Sequence, residues 1–146
     1  MRRYVVYLLE NDVAKNYLGK EKMLYQLFCE AENKISPYHS VVKKQIQYIT
    51  RKIPVKKLHQ AIVSELKYVL TSFEPEKIYE VQLKESASRA ILIVNPNHLS
   101  IYSYGSIDAE TAFFEVLRKL ETCFLAVDFK NCNYGWLKPQ KRVELA

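Results

Sequence analysis

ETAFFEVLRKLETCFLAVDF, residues 110–129, contains no proline or glycine and changes its periodicity once. Its first half repeats apolar residues at intervals of three and four, which is the pattern of a helix that buries one face. Its second half, Cys123 to Phe129, is a short apolar run typical of a strand covered on both faces. We therefore predict a helix capped by Asp108 and followed directly by a strand. The core stripe predicted for this helix is Ala109, Phe113, Val116, Leu117 and Leu120.

Upstream of this block, a periodicity of two predicts three strands. Apolar and polar residues alternate over 79–83, residues 90–94 are rich in strand-forming types, and residues 99–104 alternate again. The tripeptide Asn95-Pro96-Asn97, between the second and third of these segments, consists of residue types that strongly favour a turn. The three segments together predict an antiparallel meander.

The amino-terminal half begins with an apolar run over residues 4–9, which predicts a buried strand. Three helical patterns follow this run, and apolar residues in each repeat along one face, which we predict to be buried. The buried stripes are Leu24, Leu27, Phe28 and Ala31 in the first helix and Val42, Ile46 and Ile49 in the second. The predicted helices run from a cap at Asn11 or Asp12 to about Asn33, from Ser36 and Pro37 to about Lys52, and from Pro54 along a stripe of Leu58, Ile62, Leu66 and Val69.

The predicted order of elements is β-ααα-βββ-α-β. This order is typical of an α+β fold, with a mostly antiparallel sheet of about five strands and about four helices packed on it. The first and last strands are the most apolar, so we expect them to be neighbours near the centre of the sheet, with the meander toward an edge. A length of 146 residues fits a single domain over residues 1–146.

Composition excludes several classes of protein. No segment approaches the roughly 20 apolar residues that cross a bilayer, so we expect a soluble, cytoplasmic protein with no membrane partner. The three cysteines form no C-x-x-C pair, and we expect no disulfide framework and no metal site. Cys29 and Cys123 lie among apolar residues and are predicted to be buried, whereas Cys132 is predicted to be an exposed loop thiol.

The net charge of +6 comes from the amino-terminal half of the chain. Residues 1–73 contain 13 Lys and Arg against 6 Asp and Glu. A stripe like this is able to follow a phosphate backbone, to attract an acidic protein, or simply to be a solvated face. Charge alone does not choose among the three. The basic stripe consists of Lys43, Lys44, Arg51, Lys52, Lys56 and Lys57.

The sequence offers little for catalysis. His39, His59 and His98 are the only histidines, and their local context predicts surface positions. Asp128 stands in the last predicted strand, where a lone aspartate is usually a hydrogen-bonded structural residue. There is no glycine-rich phosphate loop and no nucleophile motif. We therefore predict no enzymatic activity, no catalytic residue, no cofactor and no small-molecule substrate.

A binding function agrees better with the aromatic content. Tyrosine (11 residues) outnumbers phenylalanine and tryptophan together, and its polar tip tolerates solvent at an interface. Val13 and Tyr17 form an i, i+4 pair before Gly19, where they either continue the core stripe or stand free of it. Gln45 and Tyr48 share the face of the second helix opposite its core stripe. There they form either a contact patch for a partner or an ordinary solvated surface.

Three stretches carry a family resemblance. They are Tyr17-Leu18-Gly19-Lys20-Glu21, Lys44-Gln45-Ile46-Gln47-Tyr48-Ile49-Thr50, and the block at 110–129 with the Tyr134-Gly135-Trp136 that follows it. In this order and over nearly the whole length, the chain resembles the SirA family. The resemblance implies a non-enzymatic inhibitor of chromosome replication that binds the amino-terminal domain of the initiator DnaA during sporulation.

The resemblance also implies which residues bind the partner. The matching positions are Val13, Tyr17, Gln45 and Tyr48, and Val13 departs from the bulky aromatic usual at its position. From the charge pattern, Lys44, Arg51 and Lys52 are candidates for electrostatic steering of the partner. We interpret Tyr134, Gly135 and Trp136 as a structural turn. The alternative function is a nucleic-acid-binding module that uses the 43–57 stripe, whereas the SirA interpretation predicts no direct nucleic-acid contact.

Overall fold

A seven-stranded antiparallel sheet organises the part of the chain that the computed structural model describes, residues 1–73 and 77–140. Its strands are β1 (Arg2–Leu8), β2 (Val69–Ser72), β3 (Lys77–Leu83), β4 (Ser88–Val94), β5 (Leu99–Gly105), β6 (Phe124–Asp128) and β7 (Asn133–Trp136). The helices are α1 (Asn11–Asn16), α2 (Glu21–Glu32), α3 (His39–Ile49), α4 (Val55–Glu65) and α5 (Asp108–Leu120). The predicted α+β class is confirmed, with two more strands and one more helix than expected.

The strand order is β2-β3-β4-β5-β1-β6-β7, and every neighbouring pair is antiparallel. β1 lies between β5 and β6, with Val6 opposite Leu99 on one side and Ala126 on the other. Val6 is fully buried because helices cover this part of the sheet on both faces. The expected adjacency of the first and last predicted strands is therefore confirmed. Their predicted central position is wrong, because β5 is the middle strand and β6 lies next to the edge strand β7. The predicted meander, β3 to β5, extends toward the opposite edge, which β2 forms.

Helices α4 and α5 cover one face of the sheet. Phe113 and Leu117 of α5 are buried against it, and the Ala109 N–H donates a 2.7 Å hydrogen bond to Ser88 Oγ on β4. Glu110, on the same helix, is buried and accepts hydrogen bonds from Arg2 Nε at 2.7 Å and from Ser103 Oγ at 3.1 Å. A buried carboxylate needs such partners, so this trio fixes α5 across β1 and β5.

Helix α2 covers the other face at β1, β6 and β7. Phe28 is fully buried and stacks on Tyr7 of β1, with ring centroids 3.9 Å apart. Tyr25, one turn earlier, stacks on Tyr134 of β7 at 4.9 Å. Helix α3 packs on α2 and buries Val42. The result is a pair of helices, α2 and α3, whose outer surfaces lie away from the sheet.

The first predicted helix is two helices in the structure. α1 ends at Asn16, and Gly19 has a φ of +81°, a left-handed conformation that glycine adopts without a side-chain clash. α2 then begins at Glu21. The sequence signal for this break is Gly19, the one glycine within the predicted helix and a residue able to end or bend its first turns.

Two strands were missed. Residues after α4 form β2, so Val69 is a strand residue paired with Val81 and does not extend the helix stripe as predicted. Tyr134, Gly135 and Trp136, predicted as a turn, belong to the edge strand β7 and pair with β6. Short edge strands owe their structure to the neighbour they pair with, and that neighbour is not visible in local sequence.

The predicted caps and one helix range also need correction. Asn11 and Asp108 are the first residues of α1 and α5, whose caps are Glu10 and Ile107 without a side-chain hydrogen bond. Asp12 lies inside the first turn of α1. α3 spans only His39–Ile49, so Lys52 lies beyond the helix and does not end it as predicted.

Candidate functional site

A groove of about 600 Å³ lies on the outer side of α2 and α3, beside the end of α1. Met23, Leu24 and Leu27 contribute the α2 wall. Tyr17, the residue that caps the carboxyl end of α1, closes one side. The lining is mostly apolar, which is the character of a surface that recognises another molecule.

The α3 wall carries the polar groups of the groove. Val41, Gln45 and Tyr48 repeat at i, i+4 and i+7 and therefore share one helix face. Lys44 and Ile49 complete this wall. The Tyr48 side chain is 85% exposed, so almost its whole ring is available to a partner.

Three of the four predicted contact residues meet at this groove. Tyr17, Gln45 and Tyr48 all line it, although Tyr17 follows α1 and the other two belong to α3. Val13 is not among the lining residues; it is half-buried and packs against the core one turn before Tyr17. Tyr17 is also half-buried and packs partly against the core. It therefore continues the core stripe, as one interpretation held, and also faces the groove, as the other held.

The backbone holds Tyr17 in place through two hydrogen bonds. Its N–H donates to the Val13 carbonyl at 3.0 Å, and its carbonyl accepts from the Lys20 N–H at 2.8 Å. The second bond closes the turn that Gly19 makes possible. The position of this ring thus depends on the break between α1 and α2.

Glu21 fastens that turn to the sheet. Its Oε1 accepts hydrogen bonds from the Gly19 N–H at 3.0 Å and from Trp136 Nε1 at 3.2 Å. Desolvation acts to raise the pKa of Glu21, but hydrogen bonds from its own N–H, from Gly19 and from Trp136 favour the carboxylate and leave the pKa below its ordinary value. The first turn of α2 is thereby joined to β7.

The candidate steering residues lie in different settings. Lys44 is exposed on the groove. Arg51 and Lys52 line a separate hollow with Glu10, and Arg51 forms an ion pair with Glu121 at 3.3 Å. The partner charge on Glu121 reduces the field that Arg51 projects into solvent. Of the three residues, only Lys44 adjoins the tyrosines.

The three histidines are less exposed than the predicted surface positions imply. All three are half-buried: His59 Nδ1 lies 2.7 Å from the Tyr79 hydroxyl, and His98 Nε2 lies 3.3 Å from Asn95 Nδ2. The first contact joins α4 to β3, and the second lies within the turn between β4 and β5. Within residues 1–73 and 77–140, no three His, Cys, Asp or Glu side chains are close enough together to hold a metal ion.

Asp128 and the cysteines have structural settings. Asp128 is buried and accepts hydrogen bonds from the Asn131 N–H at 3.2 Å and from Asn131 Nδ2 at 2.8 Å, in the turn before β7. Cys123 is buried and Cys132 is exposed, as predicted, whereas Cys29 is only half-buried.

Sequence reasoning assigned Leu24, Leu27 and Ile49 wholly to the core, yet all three also line the groove. It did not single out Met23 or Val41, whose side chains are 55% and 54% exposed. A signal was present in the spacing, because Val41 lies on the same helical face as the two polar residues already chosen on α3.

The fold and the groove define an α+β protein whose candidate site is a recognition surface formed by helices. Comparison with known proteins names the family. The SirA family, described as "Sporulation inhibitor of replication protein SirA", matches residues 2–141. The chain is also 36% identical over 143 residues to the Sporulation inhibitor of replication protein SirA of Bacillus subtilis (strain 168), covering 96% of this chain and 95% of that protein. The chain therefore belongs to the SirA family, which confirms the resemblance. No helix in the described part of the chain combines the length and the apolar character needed to cross a membrane.

Proposed function

We propose that this protein inhibits the initiation of chromosome replication during sporulation by binding the amino-terminal domain of the initiator DnaA. Two observations support the proposal. The family match extends over nearly the whole chain, to a relative whose name states that it inhibits replication in sporulation. The groove is the observation that carries it, because it brings Tyr17, Gln45 and Tyr48 together on one exposed surface.

The proposed mechanism is stoichiometric occlusion without chemistry. Tyr17 presents the apolar end of the surface, and the half-buried Val13 adjoins it outside the groove. Gln45 and Tyr48 add hydrogen bonds at the polar edge. Lys44, Arg51 and Lys52 attract the partner at long range. While the inhibitor is bound, the covered surface of DnaA is closed to its other partners. The protein acts in the cytoplasm, where the initiator meets the chromosome.

Tyr48 is the residue on which binding should depend most. Truncating an aromatic anchor of an interface commonly costs about 2 kcal/mol or more, which is roughly a thirty-fold loss of affinity. Because the ring is 85% exposed in the free protein, its removal leaves the core unchanged. Binding and stability should therefore respond separately to this substitution.

The test is a calorimetric titration of the purified DnaA amino-terminal domain with the unmodified chain and with Tyr17→Ala and Tyr48→Ala. Tyr68→Ala is the matched control, because Tyr68 is 82% exposed but does not line the groove. We expect both groove variants to lose binding and the control to keep it. Undiminished binding by both groove variants would show that the wrong face has been assigned.

The nucleic-acid alternative makes a different prediction. A binder that used the 43–57 stripe would shift duplex DNA at low salt and lose affinity steeply as salt rises. The proposed protein-binding function predicts little DNA affinity at physiological ionic strength. A gel shift at two salt concentrations separates the two functions, and a strong shift at physiological salt would favour the alternative.

A further inference from the structure

The walls of the groove are helical, and this restricts what is able to bind there. Met23 and Leu27 lie within α2, while Val41 and Gln45 lie within α3. Backbone N–H and C=O groups inside a helix are already paired with each other. The groove thus lacks the row of unpaired backbone groups that an extended peptide needs for strand addition. A helix pairs its own backbone groups and needs no such row, so it suits these walls better than an extended segment does.

The dimensions agree with a short helix. Val41 to Ile49 rises eight residues along α3, or about 12 Å. The anchors of a helix at i and i+7 are about 10.5 Å apart. A volume of about 600 Å³ leaves room for the apolar side chains that two helical turns direct to one side. The groove therefore matches a partner helix with anchors at i, i+4 and i+7.

Within the described lining of the groove, the charge is positive and comes from Lys44. Lys44 is exposed beside the apolar floor and forms no ion pair within the described residues. No acidic side chain belongs to the described lining of the groove. When a partner covers the floor and excludes water, a cation there is stabilised by a carboxylate on the incoming surface.

We infer that the groove receives an amphipathic helix of the partner, which carries an Asp or Glu that pairs with Lys44. The inference rests on the proposed function and deepens it, since it specifies which kind of segment the DnaA amino-terminal domain offers. The apolar side of the helix meets the floor of the groove. The carboxylate beside Lys44 sets its direction and register.

A pair of charge reversals tests this pairing. Lys44→Glu and the control Lys43→Glu change the net charge equally, on the same helix and at exposed positions, but only Lys44 lines the groove. In titrations with the DnaA amino-terminal domain, we expect Lys44→Glu to weaken binding by at least about ten-fold and Lys43→Glu by less than about two-fold. Equal effects of the two variants would overturn the inference.

Two further measurements identify the helix. Each Asp and Glu on the helices of the partner domain is changed to Lys in turn, and one such change should restore binding to the Lys44→Glu variant. Hydrogen exchange of the partner domain should show protection by the unmodified chain along that helix. Protection confined to strands or loops would overturn the inference.

The two proposals fail in different ways. If the unmodified chain does not bind the domain at all, the proposed function is wrong and the inference falls with it. Suppose instead that the unmodified chain binds and that Tyr48→Ala weakens binding, but that Lys44→Glu and Lys43→Glu change the affinity equally. The proposed function then stands and only the inference is wrong. Circular dichroism of both reversals should match that of the unmodified chain, because neither lysine is buried.

Discussion

The hydrogen bond between Trp136 and Glu21 gives the sharpest test of how the sheet supports the groove. Trp136→Phe removes the Nε1–H donor, 3.2 Å from Glu21 Oε1, and keeps an aromatic ring in place. A hydrogen bond to a charged group contributes about 1.5–3 kcal/mol. Because both side chains are half-buried and water competes for the carboxylate, we expect a loss of about 1 kcal/mol in the free energy of unfolding.

This loss should depend on pH in a defined direction. Glu21 has a pKa below its ordinary value in the folded protein, so its contribution is fully present above the unfolded pKa and disappears as pH falls through the folded value. Removing the Trp136 donor raises the folded pKa toward the ordinary one. The destabilisation should therefore be complete at pH 7 and shrink as Glu21 becomes protonated.

The assay is urea unfolding followed by circular dichroism, since Trp136 is the single tryptophan and its fluorescence is lost in the variant. Unfolding is measured at pH 7 and near pH 3, and a double-mutant cycle with Glu21→Gln isolates the pairwise energy. A penalty of the same size at both pH values, or strict additivity in the cycle, would refute the reasoning.

Three other substitutions probe the scaffold. Phe28→Ala should cost about 3–5 kcal/mol in urea unfolding, because the ring is fully buried and stacked on Tyr7; a cost under about 1 kcal/mol would contradict this packing. Gly105→Ala should destabilise clearly in thermal unfolding, since φ is +75° and a Cβ would overlap a backbone carbonyl, while the control Gly135→Ala, with open space around it, should be nearly neutral. Burial, reinforced by the nearby Arg3, lowers the pKa of His98, so stability should fall as pH drops below about 6.5, and His98→Gln should flatten that slope; an NMR titration midpoint above 6.5 would argue against it.

The elements that sequence predicted well are those with long internal patterns. The stripe of α5 is visible because Ala109, Phe113 and Leu117 recur with the helical period, and the structure buries all three. β1 and β6 were evident as apolar runs, and their length excluded a helix. In each case, the information lies within one continuous segment of the chain.

The elements that sequence missed depend on distant partners. β2 exists because Val69 pairs with Val81, and β7 because Gly135 pairs with Ala126. Each segment is only four residues long, which is too short for an alternating pattern to stand out. The predicted caps are each one residue too late. Asn11 and Asp108 are residue types that favour the cap position, but each helix already begins at that residue, after Glu10 and Ile107.

Patterns in the sequence are enough to predict the α+β class and the helical stripes. The resemblance carried by three stretches of the chain adds the family and the candidate contact residues. Tyr17, on the turn after α1, and Tyr48, on α3, line the same groove, and this follows only from how the helices pack. Periodicity tells which face of a helix is buried, since that face repeats every 3.6 residues. It does not tell which exposed faces lie side by side, because that depends on how α2 and α3 pack on each other and on the sheet. A groove between helices is a property of that packing, and no single segment of the chain contains it.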